Sequence, residues 1–251
     1  MRILLTNDDG IRAEGLAALH EALASQHEVW VVAPDREQSA ASHAITLARP
    51  LRLKEIRPRW FEVDGTPTDC AYIGLNHVLK GQRPAVTCSG INDGPNLGND
   101  VLYSGTVAAA VESAMLGVPG IALSFAGKPR DYASAARFAP ALVEAVARNP
   151  LPRHALLNVN FPSGRADRFA VTRLGTRNYG DVVHEKTDPR GRSYYWIGGG
   201  DAHYDDLPGS DCNAVLSQEL ISVTPLNLDL TDHGMLGALG AWDVQGYQRH
   251  L

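Results

Sequence analysis

Over its first 160 residues the chain alternates short apolar runs with segments of helical hydrophobic spacing, and that alternation limits the folds open to it. Arg2–Thr6 is apolar and ends at Asn7-Asp8-Asp9-Gly10. Ile11–Ser25 sets Ile11, Leu16, Leu19 and Leu23 near helical spacing, and Glu28–Ala33 reads as a buried strand stopped by Pro34. Together they form a β-α-β unit of ~30 residues, the size of a right-handed crossover. Ala44–Asp64 alternates and holds two prolines, so a strand excursion or hairpin is expected there. Thr66-Pro67-Thr68-Asp69 should open a helix running to about Leu79: an N-cap threonine, proline at the first helical position, an acid in the first turn. Strands are expected at Ala85–Ser89, Gly120–Phe125 and Ala155–Val159, and helices at Thr106–Leu116 and Asp131–Arg148. This order predicts an α/β fold, a mostly parallel sheet with helices on both faces.

The pattern changes after Pro162. Strand-like pieces at Phe169–Arg173, Tyr194–Ile197 and Leu220–Thr224 sit among Gly/Asp-rich loops. Residues 1–162 therefore read as the α/β core. Residues 163–251 read as a β-hairpin-rich C-terminal extension that packs back on it, not as a second globular core. With 44% hydrophobic residues, 251 residues can bury a core without disulfide or metal staples. Three cysteines, Cys70, Cys88 and Cys212, without CxxC spacing, argue against a disulfide framework or structural zinc and for a reducing cytoplasm. MRILLTNDDG is too short in apolar residues for a signal peptide, and Glu112, Gly117, Pro119 and Gly120 interrupt the apolar stretch Val107–Ala126, so no membrane span is expected. Net charge is -5, from 28 acidic and 23 basic residues, which argues against a nucleic-acid polymer or an anionic membrane as partner.

In an open α/β sheet, ligands bind beyond the C-terminal ends of the strands. Three loops can converge on that rim: Asn7-Asp8-Asp9-Gly10, Pro34-Asp35-Arg36-Glu37-Gln38-Ser39, and Gly90-Ile91-Asn92-Asp93-Gly94-Pro95-Asn96. They bring carboxylates, a hydroxyl and carboxamides, each able to offer an oxygen donor. Adjacent Asp8 and Asp9 repel unless a cation sits beside them, and oxygen ligands favour Mg²⁺, Mn²⁺ or Ca²⁺ over zinc. The plain alternative is that the aspartates only cap the next helix. Ser104-Gly105-Thr106, opening an Ala-rich helix, offers N–H groups and hydroxyls to an anion, with Asn96 and Asn99 upstream; the plain alternative is a Ser/Thr N-cap. The loop is neither a Walker A nor a GxGxxG site. His43, Asp64 and Asp69 read as structural, Cys70 and Cys88 as core, and Glu112 as the partner of an arginine or of a neighbouring subunit.

These segments together resemble the SurE family, stationary-phase survival proteins that act as metal-dependent 5'-nucleotidases. The matching pieces are ILLTNDDG, VVAPDREQSAAS, VDGTPTDCAYIGL, SGINDGPNLGNDVLYSGTVAAA, NVNFP and GSDCNAVLSQELISVTPLNLDLT. The resemblance implies a Rossmann-like core and an extension used for homodimer or homotetramer contacts. It implies one divalent cation per subunit, Mg²⁺ or Mn²⁺, held by Asp8, Asp9, Ser39 and Asn92, and phosphate held by Asn96, Ser104, Gly105 and Thr106. It implies hydrolysis of nucleoside 5'-monophosphates, with 3'-monophosphates and short polyphosphate as further family substrates. Asp8, Asp9 and Asn96 are then the catalytic candidates, with water as nucleophile, activated by the metal or by an aspartate, Asp9 being preferred, and with a covalent aspartyl-phosphate as the rival chemistry. One departure is visible: the residue after Ser39 is usually glycine and here is Ala40, a cost if that position needs φ > 0. The alternatives are a nucleotide-binding regulatory module without turnover, or a nucleotide-dependent transferase.

Overall fold

The computed structural model describes residues 1–128, 130–180, 183–198 and 203–245. The end of the expected extension, 246–251, lies outside them. In chain order the core elements are β1 (Arg2–Thr6), α1 (Glu14–Ala24), β2 (Glu28–Pro34), β3 (Leu53–Arg57), β4 (Trp60–Val63), α2 (Pro67–Ile73), β5 (Val86–Asp93), α3 (Gly105–Met115), β6 (Gly120–Phe125), α4 (Ala133–Arg148) and β7 (Ala155–Phe161). The extension adds β8 (Phe169–Val171), β9 (Arg177–Asn178), β10 (Val183–Thr187), β11 (Ser193–Ile197), β12 (His203–Tyr204), β13 (Ile221–Asn227) and α5 (Met235–Gly240).

Nine strands form one sheet in the order β3-β4-β2-β1-β5-β6-β7-β13-β8. From β4 through β7 neighbours run parallel, while β3 and β13 pair antiparallel with β4 and β7. The expected α/β fold with a mostly parallel sheet is present. Alternation along β1 explains its two faces. Ile3 and Leu5 pack with Leu16, Leu19 and Leu23 of α1 and with Ala139 and Val143 of α4, whereas Leu4 packs with Cys70 of α2. Val107, Ala110 and Ala114 of α3 meet Ala122 and Leu156. The small side chains of α3 let it lie close: a Cβ on Gly120 would sit 2.2 Å from the Ala110 carbonyl oxygen.

The Thr66 reading holds in detail. Thr66 Oγ1 accepts from Asp69 N at 3.1 Å while Asp69 Oδ2 accepts from Thr66 N at 2.9 Å, a closed capping box with Pro67 behind it. Beyond Ile73 the helix continues as one π-helical turn, Gly74–Val78. Three expectations shift. The strand from Val86 does not stop at Ser89 but runs to Asp93, because Asn92 and Asp93 pair with Ser124 and Phe125 after an irregularity. In the stretch 44–64 the expected hairpin is present as antiparallel β3 and β4, and only its strand bounds are narrower than the stretch. Helix α1 begins at Glu14, since Ile11 still bonds to the Pro34 carbonyl. The extension enters the main sheet through β13 and β8, while β10 and β11 form a separate antiparallel hairpin whose residues are all exposed.

Candidate functional site

Strand β1 lies centrally, with β2 on one side and β5 on the other, so the chain leaves it in opposite directions along the sheet. Such a switch point leaves a crevice at the strand C-termini. The turn after β1 is tight. Asn7 Nδ2 donates to the Gly10 carbonyl at 2.8 Å, and Gly10 takes φ 96, where a Cβ would press on the Arg36 backbone. Gln38 N donates to the Asp8 carbonyl at 2.7 Å, fastening the loop after β2 to the first one.

This turn lays Asp8 and Asp9 into a cavity of about 610 Å³ that Ser39, Asn92, Asn96 and Ser104 also line. Six of the eight expected site residues therefore share one hollow. Asp8 is 4% exposed and accepts a hydrogen bond from Thr106 Oγ1. Burial raises its pKa above the ordinary carboxylate value. Asp9 accepts from Asp93 N at 3.1 Å, and burial, with the charge of Asp8 beside it, lifts its pKa to about 6.

Gly105 and Thr106 stand behind that surface. Thr106 is fully buried with its hydroxyl spent on Asp8, so what it can turn toward an anion is its backbone N–H. The first-turn N–H groups of a helix have no acceptor within the helix. Gly105 is required by proximity: a Cβ there would lie 2.9 Å from Asp8 Cβ and 3.1 Å from its Oδ2. Ser104 caps α3, its Oγ accepting from Val107 N at 3.1 Å, which leaves the hydroxyl hydrogen to donate. Asn96 is clamped by carboxamides of β7: its N donates to Asn160 Oδ1 at 2.8 Å and its carbonyl accepts from Asn158 and Asn160. One N–H of its side chain goes to Ser124 Oγ at 2.7 Å, so the other is the one open to a ligand.

The donors suit a hard cation. Asn92 Nδ2 donates to the Gly94 carbonyl at 2.8 Å, which orients the carboxamide and leaves Oδ1 as the oxygen it could offer to a cation. Ser39 Oγ donates to Glu37 Oε1 at 2.6 Å and keeps lone pairs. Among the described residues no group of three or more His, Cys, Asp or Glu is gathered at metal spacing. A cation here would take two carboxylates and two neutral oxygens. Two neighbouring carboxylates desolvated together are themselves the observation that a divalent ion fits.

Several residues of the site were not singled out from sequence. Arg130 is the one Lys or Arg among the described lining residues, and it pairs with Asp93. Glu37, Asp100, Tyr103 and Tyr132 also line the cavity, as does Tyr179 from the extension. Glu37 and Asp93 belong to the strand-end loops and Tyr103 opens the Tyr-Ser-Gly-Thr run before α3, whereas Tyr179 has no local signal. His43 and Glu112 find each other rather than substrate or an arginine, Nε2 to Oε2 at 2.8 Å. With Ser42 N and Oγ bonded to the Tyr103 and Leu102 carbonyls, they strap the Ser39 loop to α3. Asp64 accepts from Arg52 N, Asp69 closes the capping box, and Cys70, Cys88 and Cys212 are buried and free.

The family model "Survival protein SurE" matches residues 3–181. The chain is similar to the "5'-nucleotidase SurE" of Myxococcus xanthus (strain DK1622), 59% identical over 99% of this chain and 96% of that protein. It is 61% identical to the "5'-nucleotidase SurE" of Anaeromyxobacter dehalogenans (strain 2CP-C), over 99% of this chain and 98% of the other. Among solved structures, the SurE protein from Aquifex aeolicus superposes with a TM-score of 0.83 at 38% identity, covering 95% of this chain and 98% of that one.

Proposed function

The chain belongs to the SurE family, and from that footing we propose that it is a metal-dependent phosphomonoesterase that hydrolyses nucleoside 5'-monophosphates to nucleoside and phosphate. One observation carries the reading: the desolvated Asp8–Asp9 pair shares a cavity with the Ser104 cap of α3. The carboxylates call for a cation, and the helix terminus suits the anion that comes with it.

Asp8, Asp9, Ser39 and Asn92 would hold a single divalent cation, Mg²⁺ or Mn²⁺ by the hardness of the donors. Bound there, the ion supplies charge neutralisation and alignment of the phosphate. Thr106 keeps Asp8 oriented through its hydroxyl. The Ser104 hydroxyl, the free side-chain N–H of Asn96 and the first-turn N–H groups at Gly105 and Thr106 donate to phosphate oxygens, and such pre-aimed donors stabilise charge that develops during transfer. Asp9 takes the proton of the attacking water and returns it to the ester oxygen as the phosphorus–oxygen bond breaks, so the nucleoside leaves as an alcohol.

Residues 1–162 serve as the catalytic core in this reading, and 163–251 as the extension through which a homodimer or homotetramer forms. Three free cysteines suit a cytoplasmic location. No helix among the described residues is long and apolar enough to cross a membrane.

Phosphate release should be measured on EDTA-stripped protein over nucleoside 5'- and 3'-monophosphates and short polyphosphate, then with Mg²⁺ or Mn²⁺ restored. The expected result is release from 5'-monophosphates only with metal. Full activity in EDTA, or no release from any monophosphate, would overturn the proposal.

A further inference from the structure

The extension builds part of the cavity wall. Tyr179, next to β9, lines the hollow that holds Asp8 and Asp9. Its hydroxyl donates to Asp100 Oδ2 at 2.8 Å, and Arg177 Nη1 donates to the same oxygen at 2.5 Å. The side chains of Arg177 and Asp100 are each only 12% exposed, so this pair is partly desolvated and fixed. The guanidinium carbon of Arg177 lies 5.0 Å from the Tyr179 ring centroid. The Arg177 backbone is pinned as well: Asn99 Oδ1 accepts its N–H at 3.2 Å and Asn99 Nδ2 donates to its carbonyl at 2.9 Å. Burial and the bond to Asp100 push the phenol up to about 12, so Tyr179 stays a neutral ring near neutrality. Yet the residue remains 46% exposed. A ring anchored at its hydroxyl, backed by a guanidinium and open at the mouth of the cavity is pre-organised to receive a flat partner.

We propose that Tyr179 is the nucleobase platform of this site, with Asp100 and Arg177 as positioning residues that hold its ring. The inference rests on the nucleotidase reading and deepens it. Tyr103 and Tyr132 line the cavity too, but of the three tyrosines it is Tyr179 whose hydroxyl is held by a carboxylate and whose ring is backed by a guanidinium. Stacking on a tyrosine suits every base, because each has a π-face, so this platform selects for the presence of a base more than for its identity.

The test compares AMP with ribose 5-phosphate, which share the phosphate ester and sugar and differ by the base. kcat and KM are measured on both for wild type, Tyr179→Phe, Tyr179→Leu and Asp100→Asn, with folding checked by circular dichroism. Wild type should prefer AMP. Tyr179→Leu should lower that preference about tenfold, through KM for AMP. Tyr179→Phe keeps the ring but loses its hydroxyl anchor, and Asp100→Asn keeps the ring and weakens that anchor; both should fall between wild type and Tyr179→Leu. The proposal is overturned if Tyr179→Leu keeps the wild-type preference, or if both substrates fall in proportion. Should Tyr179→Leu not fold, Asp100→Asn decides: an unchanged preference there overturns the proposal. No phosphate release from AMP or any other nucleotide by wild type is a different result, and it removes the nucleotidase reading itself.

Discussion

Asp9 ties stability to function at the scale of one residue. Its native pKa of about 6 lies above the 3.8 of the free side chain, so without metal the folded state holds a proton that the unfolded chain has already lost. Stability of the metal-free protein should therefore fall as pH rises from about 4 to about 6 through these groups. A divalent cation should reverse the loss, most strongly above pH 6. Melting temperatures in EDTA and in Mg²⁺ across pH 4.5–8 (roughly the window between the two pKa values and beyond) check this; a metal-induced gain equal at every pH would refute it. Asp9→Asn removes the repulsion with Asp8. It should raise the metal-free melting temperature at neutral pH while lowering kcat by roughly 10²-fold or more.

Ala40 is a second residue-scale case. The sequence showed alanine where the family usually has glycine, and the structure holds it at φ 56. An L-residue in that region costs about 1 kcal/mol relative to glycine. Ala40→Gly should gain about that much stability, less the extra entropy of the unfolded glycine; urea unfolding measures it. The left-handed turn was unreadable from alanine itself and visible only against the family pattern. By contrast, the meeting of Asp8, Asp9, Ser39 and Asn92 at one cavity was legible, because loops after parallel strands reach one rim whatever their side chains.

At the scale of elements, α3 shows what a motif can and cannot disclose. Ser-Gly-Thr before an Ala-rich run announced a capped helix terminus, and the cap is there. It did not disclose that Thr106 would bond Asp8, or that Gly105 is a contact residue between helix and turn. Those depend on how α3 docks on the sheet, which local sequence does not encode. Gly105→Ala tests the docking: the helix should form, but its end must move away from Asp8. A displacement on the order of 1 Å at a reacting site can cost ~10²-fold. kcat should drop by about that factor while circular dichroism stays near wild type; an unchanged kcat would show that the close approach has no role. The same limit applies to the strap between His43 and Glu112, residues 69 apart in sequence. Each stands alone in the sequence, and neither spacing nor composition pairs them. The strand β5 was read too short for a related reason. Its last residues are polar, and only pairing with β6 keeps them in the sheet.

The whole molecule is more uneven than its composition. The regular core was legible through two periodicities, helical and strand-like. The extension was legible only as a change of pattern, because its strands reach partners far along the chain: β13 lies against β7 and β8, and β9 carries Tyr179 to the cavity. What the extension leaves uncovered among the described residues suits the proposed assembly. Along β11, Tyr195, Trp196 and Ile197 are 60%, 60% and 90% exposed, and in the last described segment Leu230 and Trp242 are 85% and 66% exposed. A two-stranded hairpin with every residue exposed is marginal in water, and apolar surface of this kind is characteristic of assembly contacts. Light scattering coupled to size exclusion should give a mass of two or four chains. Trp196→Ser with Ile197→Ser should shift that mass toward a smaller species without changing the core's circular dichroism. Because Tyr179 lies only four residues before β10, a loosened hairpin should also raise KM for AMP more than it lowers kcat. A wild-type monomer at micromolar concentration, or a double variant with unaltered mass, would remove the hairpin from the assembly and leave its exposed aromatics without a partner.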